Sequence, residues 1–257
     1  LVNFKRTIMK NLFSVEGKVA LVTGGGQGIG AATCKRLSED GYDILLTYNN
    51  SSKPAEMLVA DIRESGGDAL AVKVDCSDDG EVGLLGIHPW MAKSIDVLVL
   101  NHGAYNRISA KEMTLEDLRK TMAINFEGAV SVWKAVQQHL TAEARIVVVG
   151  SQLGTRGSPH GADYSASKAA LAIWARSLAQ EVGPEGKRVN VLAPGYVDTA
   201  ILAGDSKEKR MTRENEVPLK RVGSPEDMAS TISFLTGQDS SYITGAIIHV
   251  NGGLYLP

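Results

Sequence analysis

Tyr164 and Lys168 have the residue types and the spacing to do acid–base chemistry together. On a helix, a spacing of four residues places both side chains on one face, one turn apart. An ordinary tyrosine has a pKa of about 10, and a close cation lowers it by favouring the phenolate. We therefore expect Lys168 to lower the pKa of Tyr164, and Ser151, thirteen residues upstream of Tyr164, to help hold a carbonyl oxygen beside it. The alternative is a half-buried aromatic next to a solvated charge.

A glycine-rich turn is the second motif that could do chemistry. The segment from Thr23 to Gly30 follows the apolar run Val19–Val22 and precedes a segment that suits a helix. Glycines permit a tight turn and a close backbone approach, and the free N–H groups at a helix start attract an anion such as a dinucleotide pyrophosphate. A plain connector could carry the same glycines. The strand before the turn and the helix after it favour a phosphate cradle.

The two motifs, in this order and at this separation, resemble those of the short-chain dehydrogenase/reductase family, and the resemblance extends from about Lys18 to the C-terminus. The family's TGxxxGxG and YxxxK motifs are matched by Thr23, Gly24, Gly28, Gly30, Tyr164 and Lys168. The resemblance implies a catalytic set of Asn125, Ser151, Tyr164 and Lys168. It implies cofactor contacts from Gly24, Gln27, Gly28, Ile29, Gly30, Tyr48, Asn49, Asn50, Ser51, Asp75, Cys76, Asn101, Gly103, Tyr164, Lys168, Pro194, Gly195, Val197 and Thr199.

Apolar strand candidates alternate with helix-length segments, which is typical of βαβ units. We predict an α/β fold: a single Rossmann-type, doubly wound domain over 18–257, with helices flanking a mostly parallel seven-stranded sheet. Residues 1–17 are predicted to be an N-terminal extension without a signal peptide, and Met9 is a candidate natural start. The predicted strands are Val19–Val22, Ile44–Tyr48, Leu70–Val74, Val97–Leu100, Ile146–Val149, Val189–Leu192 and Ile247–Val250.

The resemblance implies hydride exchange between a nicotinamide ring and a carbonyl or alcohol carbon. Tyr164 would donate the proton in reduction or remove it in oxidation, and Ser151 would donate a hydrogen bond to the same oxygen. Lys168 would also bind the nicotinamide ribose, and Asn125 would help hold a water that links Lys168 to solvent. We expect an NADPH-dependent reduction of a ketone. The alternatives are an NAD-dependent alcohol, polyol or sugar dehydrogenase, and a catalytically silent dinucleotide-binding sensor or scaffold.

The end of the second strand bears on the choice of cofactor. The segment from Leu46 to Lys53 contains no acid that would bind the adenosine ribose hydroxyls of NAD, and its hydroxyls, amides and lysine could accommodate a 2′-phosphate. Gln27 argues the other way, because many NADP-using members of the family have arginine there. We favour NADP(H) and keep NAD(H) as the alternative.

Three departures from the family pattern stand out: His102, the segment Gly80–Pro89, and the stretch Arg156–Gly161, which could shape the substrate entrance. His102 replaces a small residue, and we expect it to pack behind the site rather than transfer protons. The segment Gly80–Pro89 has three glycines and a proline where a helix is expected, so that helix should be short or broken. The segment Ala200–Glu216 should form a lid over the substrate. Its basic residues are more typical of a solvated helix face than of a site for an anionic substrate such as an acyl-carrier thioester.

The charge and cysteine content of the chain bear on its possible partners. A net charge of −2 and scattered basic residues give no field that would recruit nucleic acid or an anionic membrane. Cys34 and Cys76 lack metal-ligand spacing, so we expect buried thiols, no metal site and a reducing cytoplasm. The partner that the family resemblance implies is a small carbonyl or alcohol substrate. The family resemblance also suggests a homotetramer built on the helices after Thr114 and Tyr164.

Overall fold

A computed structural model of the chain describes residues 17–257. The predicted N-terminal extension, with Met9, lies outside the described residues except for Gly17. Seven strands form the sheet: β1 Val19–Val22, β2 Asp43–Tyr48, β3 Ala69–Lys73, β4 Ile95–Leu100, β5 Leu140–Val149, β6 Arg188–Pro194 and β7 Ile247–Val250.

All seven strands are parallel, in the order β3-β2-β1-β4-β5-β6-β7. This confirms the predicted fold class. The strand order reverses between β1 and β4, where Val22 pairs with Leu46 on one side and with Val99 on the other. In doubly wound sheets the crevice for ligands opens at the carboxyl ends of the strands at this reversal. The Thr23–Gly30 turn leaves β1 at that point.

Nine α-helices are present in residues 17–257. They are α1 Gly28–Glu39, α2 Ser52–Glu64, α3 Asp79–Gly86, α4 Leu115–Met122, α5 Gly128–Val136, α6 Leu153–Arg156, α7 Ala162–Val182, α8 Lys207–Glu216 and α9 Pro225–Thr236. A π turn, Ala123–Glu127, joins α4 to α5. Apolar side chains of α3, α5 and α7 pack on one face of the sheet, and those of α1, α2 and α9 pack on the other. The core therefore consists of two apolar layers separated by the sheet.

Local sequence signals fixed most of the element boundaries. Thr114 and Ser224 begin α4 and α9 with complete capping boxes. Helix α3 is only eight residues long and gives way to a 3₁₀ turn at Pro89–Lys93, so the expectation of a short or broken helix is confirmed. Strand β5 begins at Leu140 rather than at the predicted Ile146, because its polar first half pairs with β4 across a register shift. Within residues 17–257, no helix is both long and apolar enough to cross a membrane.

Candidate active site

A cavity of about 1140 Å³ opens at the carboxyl ends of the strands. Every predicted catalytic and cofactor residue lines it except Gly30 and Asn125. Those two residues lie beneath the cavity surface. Gly30 packs against the turn after β1, and Asn125 is fully buried. The structure therefore brings the predicted site together, with two members in a supporting position rather than at the cavity surface.

The turn between β1 and α1 is built by backbone packing. Gly24 and Gly28 have φ angles of +61° and +53°, in the left-handed region that favours glycine. A Cβ atom on Gly30 would lie 2.2 Å from the carbonyl oxygen of Gly24, so the helix can approach the turn only with glycine there. The side chain of Gln27 does not cap α1, and Gly28 and Ile29 line the cavity. The start of α1 is thus an uncapped, positive helix end facing the cavity, a setting that suits a pyrophosphate.

Tyr48, Asn49, Asn50 and Ser51 line the cavity beyond the carboxyl end of β2. The nearby carboxylate is Asp75, whose Oδ2 accepts a hydrogen bond of 2.8 Å from Asn49. Its Oδ1 accepts from the hydroxyl and the backbone N–H of Ser77, and these bonds lower the pKa of Asp75. Asp75 is therefore already engaged within the protein, and the four residues after β2 present amides and hydroxyls.

Lys168 lies one turn after Tyr164 on α7, as the spacing predicted. Its Nζ donates a 2.8 Å hydrogen bond to the carbonyl of Val149 at the end of β5 and lies 5.8 Å from the centroid of the Tyr164 ring. Burial lowers the pKa of Lys168 to about 8, because an ammonium loses hydration in the interior. The side chain is fixed by the sheet and stays largely protonated near neutral pH.

The pKa of Tyr164 moves in the opposite direction from the prediction. Burial raises it to about 12, the nearby Tyr105 adds to the rise, and the Ser151 side chain opposes it. Lys168 does not offset the loss of hydration, because its ammonium faces the ring and binds Val149. Tyr164 is therefore a protonated phenol at neutral pH in the free protein.

Asn125 lies in the π turn, and its side chain joins two elements. Its Oδ1 accepts a 2.7 Å hydrogen bond from the backbone N–H of Ala104, and its Nδ2 donates to the Ala104 carbonyl and to Ser167 Oγ, both at 3.0 Å. The amide is thus occupied by the loop after β4 and by α7. Asn125 fixes the spacing between these elements and holds the turn beside Lys168.

The loop after β4 connects the glycine turn to Lys168. Asn101 Nδ2 donates 3.0 Å hydrogen bonds to the carbonyls of both Thr23 and Gly24. A Cβ atom on Gly103 would lie 3.3 Å from Lys168 Nζ, so the backbone passes directly over the ammonium. One short loop therefore contacts both the glycine turn and the part of the cavity that contains Lys168.

Tyr105 is a site residue that the sequence analysis missed. Its ring centroid is 4.6 Å from that of Tyr164, and its hydroxyl donates a 3.0 Å hydrogen bond to the His160 carbonyl. Gly161 leaves room for the ring, because a Cβ atom there would lie 2.5 Å from Tyr105. The sequence contained a signal for it, because Tyr105 is an aromatic residue that follows closely after β4, and β4 ends at the site. His160 contributes its carbonyl and lines the cavity mouth.

A buried carboxylate, Asp205, joins the segment that we predict to form a lid. The Asp205 side chain is 4% exposed and pairs with Arg107 at 3.3 Å, Lys209 at 3.1 Å and Arg213 at 2.6 Å. The hydrogen bond with Arg213 is the main cause that lowers the pKa of Asp205 to about 2. The expectation of a solvated basic face is therefore wrong for Arg213, whose side chain is 14% exposed and binds Asp205. Lys209 also pairs with Asp205, but its side chain is 49% exposed, as expected for a solvated face.

Comparison with known proteins gives consistent similarities over nearly the whole chain. A family profile described as enoyl-(acyl carrier protein) reductase matches residues 24–255. An uncharacterized oxidoreductase of Methylorubrum extorquens is 36% identical over 93% of this chain and 98% of its own length. A 3-oxoacyl-[acyl-carrier-protein] reductase of Staphylococcus aureus is 34% identical, with the same coverage of both chains.

Solved structures give the same result. A short-chain dehydrogenase from Burkholderia cenocepacia in complex with NADP superposes with a TM-score of 0.88 at 35% identity, covering 94% of this chain and 99% of that one. A blue fluorescent protein from a metagenomic library in complex with NADPH gives 0.89 at 35% identity, covering 95% and 100%. The similarity thus extends over nearly the whole chain in both sequence and fold.

Proposed function

Because the chain belongs to the short-chain dehydrogenase/reductase family, whose members are NAD(P)-dependent oxidoreductases, we propose that it reduces a ketone to a secondary alcohol with NADPH. The observation that carries this proposal is the protonated phenol of Tyr164 beside Ser151, in a cavity that also contains an uncapped helix start. A pKa of about 12 keeps the proton on Tyr164 at neutral pH, which is the form that a proton donor needs.

The chain's own residues then have defined tasks. Ser151 and Tyr164 hold the substrate carbonyl oxygen, and Tyr164 Oη gives its proton to that oxygen as negative charge develops on it. Bound NADPH supplies the hydride that goes to the carbonyl carbon. Lys168 is fixed by Val149, and with a pKa of about 8 it is a stronger acid than Tyr164, whose pKa is about 12, so it favours reprotonation of the resulting phenolate. Asn125 would keep the adjoining turn in place so that a water can link Lys168 to solvent.

NADP(H) is proposed over NAD(H) because Tyr48, Asn49, Asn50 and Ser51 provide neutral donors and acceptors at the end of β2. The one nearby carboxylate, Asp75, is already hydrogen-bonded to Asn49 and Ser77, which limits its use for a ribose diol. Two structural relatives were solved with NADP and NADPH, which supports the same choice. The pyrophosphate would be held at the start of α1 by Gly28 and Ile29.

The substrate is proposed to be a small carbonyl compound, with 3-oxoacyl thioesters as the first class to test because of the similar reductases. The proposed direction is reduction, for which the protonated phenol is the form required. Alcohol oxidation needs the phenolate as a base, and a pKa of about 12 disfavours that form near neutral pH. We therefore expect the reverse reaction to gain speed only as the pH is raised.

We also propose a homotetramer built on α4 and α7. Leu115 on α4 and Ile173 on α7 are 68% and 57% exposed, and apolar side chains on the surface of these helices suit contacts between copies. Sedimentation at micromolar concentration tests this, and a monomer alone would contradict it. A cytoplasmic location stays a prediction from cysteine usage.

The deciding experiment measures consumption of NADPH and NADH with ketones, sugars and 3-oxoacyl thioesters. Tyr164→Phe removes the proton donor and should lower kcat by roughly 10²- to 10⁴-fold, the range for general acid catalysis. Tyr242→Phe is the matched control, because Tyr242 is fully exposed and lies outside the cavity. Equal rates for Tyr164→Phe and wild type would reject the role of Tyr164. Tight NADPH binding without turnover of any carbonyl would favour a sensor or scaffold.

A further inference from the structure

Two groups that line the cavity have no task in the proposed reaction. One is His102, whose Nδ1 lies 2.7 Å from Thr23 Oγ1, at the glycine turn. The other is a set of basic side chains from the loop after β4, from α6 and from α8: Arg107, Arg156, Lys209 and Arg213. Among the described residues, the one carboxylate that lines the cavity is Asp75, which lies beyond β3 and is hydrogen-bonded to Asn49.

The charges of this basic set are not balanced. Asp205 is the carboxylate that pairs with Arg107 at 3.3 Å, Lys209 at 3.1 Å and Arg213 at 2.6 Å. Because one carboxylate meets three cations, an excess of positive charge remains. Arg156 adds to it, since no carboxylate within residues 17–257 pairs with its side chain. A cleft with an excess of one sign of charge attracts ligands of the opposite sign.

Arg213 is the member of the set that the fold holds most firmly. Its side chain is 14% exposed, and its Nε donates a 2.6 Å hydrogen bond to Asp205 Oδ2. Its Cζ lies over the Tyr196 ring, 4.5 Å from the ring centroid. Tyr196 is itself held in place, because its hydroxyl donates a 2.9 Å hydrogen bond to Glu216. The ion pair and the aromatic ring therefore fix the guanidinium plane before any ligand binds.

The terminal nitrogens of Arg213 remain for a ligand. A guanidinium has five N–H donors, and within residues 17–257 only the donor on Nε has a hydrogen-bond partner. Nη1 and Nη2 therefore keep their donors on a mostly buried side chain that lines the cavity. Polar groups at such a position ordinarily have partners. The planar pair of terminal nitrogens matches two oxygens of a carboxylate or a phosphate.

The connections of Arg213 favour a group on the substrate over a phosphate of the dinucleotide. Asp205 joins Arg213 to Arg107, which lies two residues after Tyr105. The Tyr105 ring centroid is in turn 4.6 Å from that of Tyr164. Within residues 17–257, no hydrogen bond or ion pair connects Arg213 to the start of α1, where we propose the pyrophosphate. Arg213 thus belongs with the Tyr164 end of the cavity.

We propose that Arg213 binds an anionic group of the substrate, a carboxylate or a phosphate ester carried by the ketone, with Arg156 as a second cation of the same cavity. The substrates are then ketones that are also anions. Ser151 and Tyr164 would hold the carbonyl oxygen while Arg213 holds the anionic end, so two fixed points would orient the carbonyl carbon. The kinetic part of this inference rests on the proposed function, whereas binding of the anion can be measured without turnover.

Matched pairs of ketones test the preference for an anion. Oxo acids of increasing chain length are compared with their methyl esters, and phosphorylated ketones with their unphosphorylated parents. The two arms distinguish a carboxylate from a phosphate. In at least one arm, we expect the kcat/KM of the wild type to favour the anion by about 10- to 100-fold, the size of charge-assisted hydrogen bonds. Equal kcat/KM values for anionic and neutral ketones in both arms would overturn the inference.

Variants of Arg213 test which residue carries the preference. Arg213→Gln removes the charge and should reduce the preference to less than about twofold, whereas Arg213→Lys keeps the charge without the planar fork and should retain part of it. Arg210→Gln is the matched control, because Arg210 lies on the same helix, is 51% exposed and does not line the cavity. If Arg213→Gln lowers kcat/KM equally for acid and ester, Arg213 only supports the lid and the inference is wrong. If Arg213→Gln does not fold, the wild-type preference and Arg213→Lys still decide.

Calorimetric titration of the protein saturated with NADP⁺ measures binding without turnover, because the oxidised cofactor carries no hydride to transfer. The oxo acids and phosphorylated ketones are the probes, and those that bind should bind at least about 10-fold more weakly to Arg213→Gln than to wild type. The affinity for NADP⁺ should stay within about twofold. A comparable loss of NADP⁺ affinity would assign Arg213 to the cofactor and overturn the inference. Binding of an anion that depends on Arg213, without reduction of any ketone by NADPH, would contradict the proposed function alone.

Discussion

The glycine turn and the lid face each other across one cavity, yet they are held in place by different forces. The turn at Thr23–Gly30 depends on backbone contacts so close that one added methyl group would collide with a carbonyl. The lid at 200–216 depends on charged side chains that meet at Asp205. Close backbone packing gives the glycine turn a single shape, which suits a ligand part that does not vary. Side-chain ion pairs can break and form again, so they permit the lid to move. We expect the turn to be intolerant of change and the lid to be adjustable.

The largest effect should come from Gly30→Ala. Its Cβ would lie 2.2 Å from the Gly24 carbonyl oxygen and 2.6 Å from Asn101 Nδ2, so the turn or the helix must shift. Overpacking of this kind costs about 1–3 kcal/mol, and we expect NADPH affinity to fall by up to about 100-fold in a fluorescence titration. Gly83→Ala on α3 is the control, because a Cβ there meets nothing within 4 Å. NADPH binding by Gly30→Ala within threefold of wild type would break the comparison.

Acid should weaken the region of the turn before it weakens the lid. The pKa of His102 is about 3 in the folded protein and about 6.5 when unfolded, so its contribution is complete above pH 6.5 and is lost as the pH falls towards 3. The free energy of unfolding should drop by about 2 kcal/mol between pH 6.5 and pH 4.5 for this group alone. Denaturant unfolding of His102→Asn should show a correspondingly flatter pH dependence.

The lid has a lower acid window. The pKa of Asp205 is about 2, below the ordinary aspartate value, so its ion pairs persist above pH 4 and are lost as the pH falls towards 2. Protection of the lid from proteolysis should therefore stay constant from pH 6.5 to pH 4.5. A lid that becomes cleavable over that range, or a His102→Asn variant with the pH slope of wild type, would contradict the predicted order.

A smaller effect is expected from Asp205→Asn. The change removes the charge that Arg107, Lys209 and Arg213 share, so the lid should close less often. We expect the KM for the carbonyl substrate to rise about 5- to 10-fold, because the buried, charge-assisted contacts of Asp205 are lost. NADPH affinity should stay within twofold of wild type, because these contacts belong to the lid and not to the glycine turn. Equal loss of NADPH affinity would show that the lid and the turn are one unit.

The smallest effect should come from Asp198→Asn. Asp198 pairs with Arg210 at 2.7 Å, but both side chains are about half exposed, and solvent-exposed pairs contribute little. The KM should change by less than about twofold. This variant removes a carboxylate that pairs with the same segment, through Arg210, so it separates the role of burial from that of charge. A change as large as that of Asp205→Asn would mean that the lid depends on charge alone.

The fold and the members of the site could be predicted because they follow from local patterns. Strand-length apolar runs, the glycine turn and the capping boxes at Thr114 and Ser224 each need only a few neighbouring residues. The spacing of four between Tyr164 and Lys168 was enough to place both on one helix face. The roles of these residues stay predictions, because geometry brings them together but does not test turnover.

Long-range packing explains what could not be predicted. The direction of the Tyr164 pKa shift depends on burial under Tyr105, which is 59 residues away in the sequence. The extension of β5 to Leu140 depends on its pairing with β4, and the π turn at Asn125 has no sequence pattern that distinguishes it from an α-helix. The convergence of three cations on Asp205 likewise joins the loop after β4 to the lid.

The way in which the lid is anchored has a consequence for engineering. Its two ends are attached by backbone hydrogen bonds, from Asp198 to Gly223 at 2.9 Å and from Leu219 to Gly252 at 3.2 Å. Arg107 connects the middle of the segment to the loop after β4. We expect an exchange of residues 200–216 with those of a related enzyme, made together with a matching residue at Arg107, to change which carbonyl compounds the protein accepts and to leave NADPH binding unchanged.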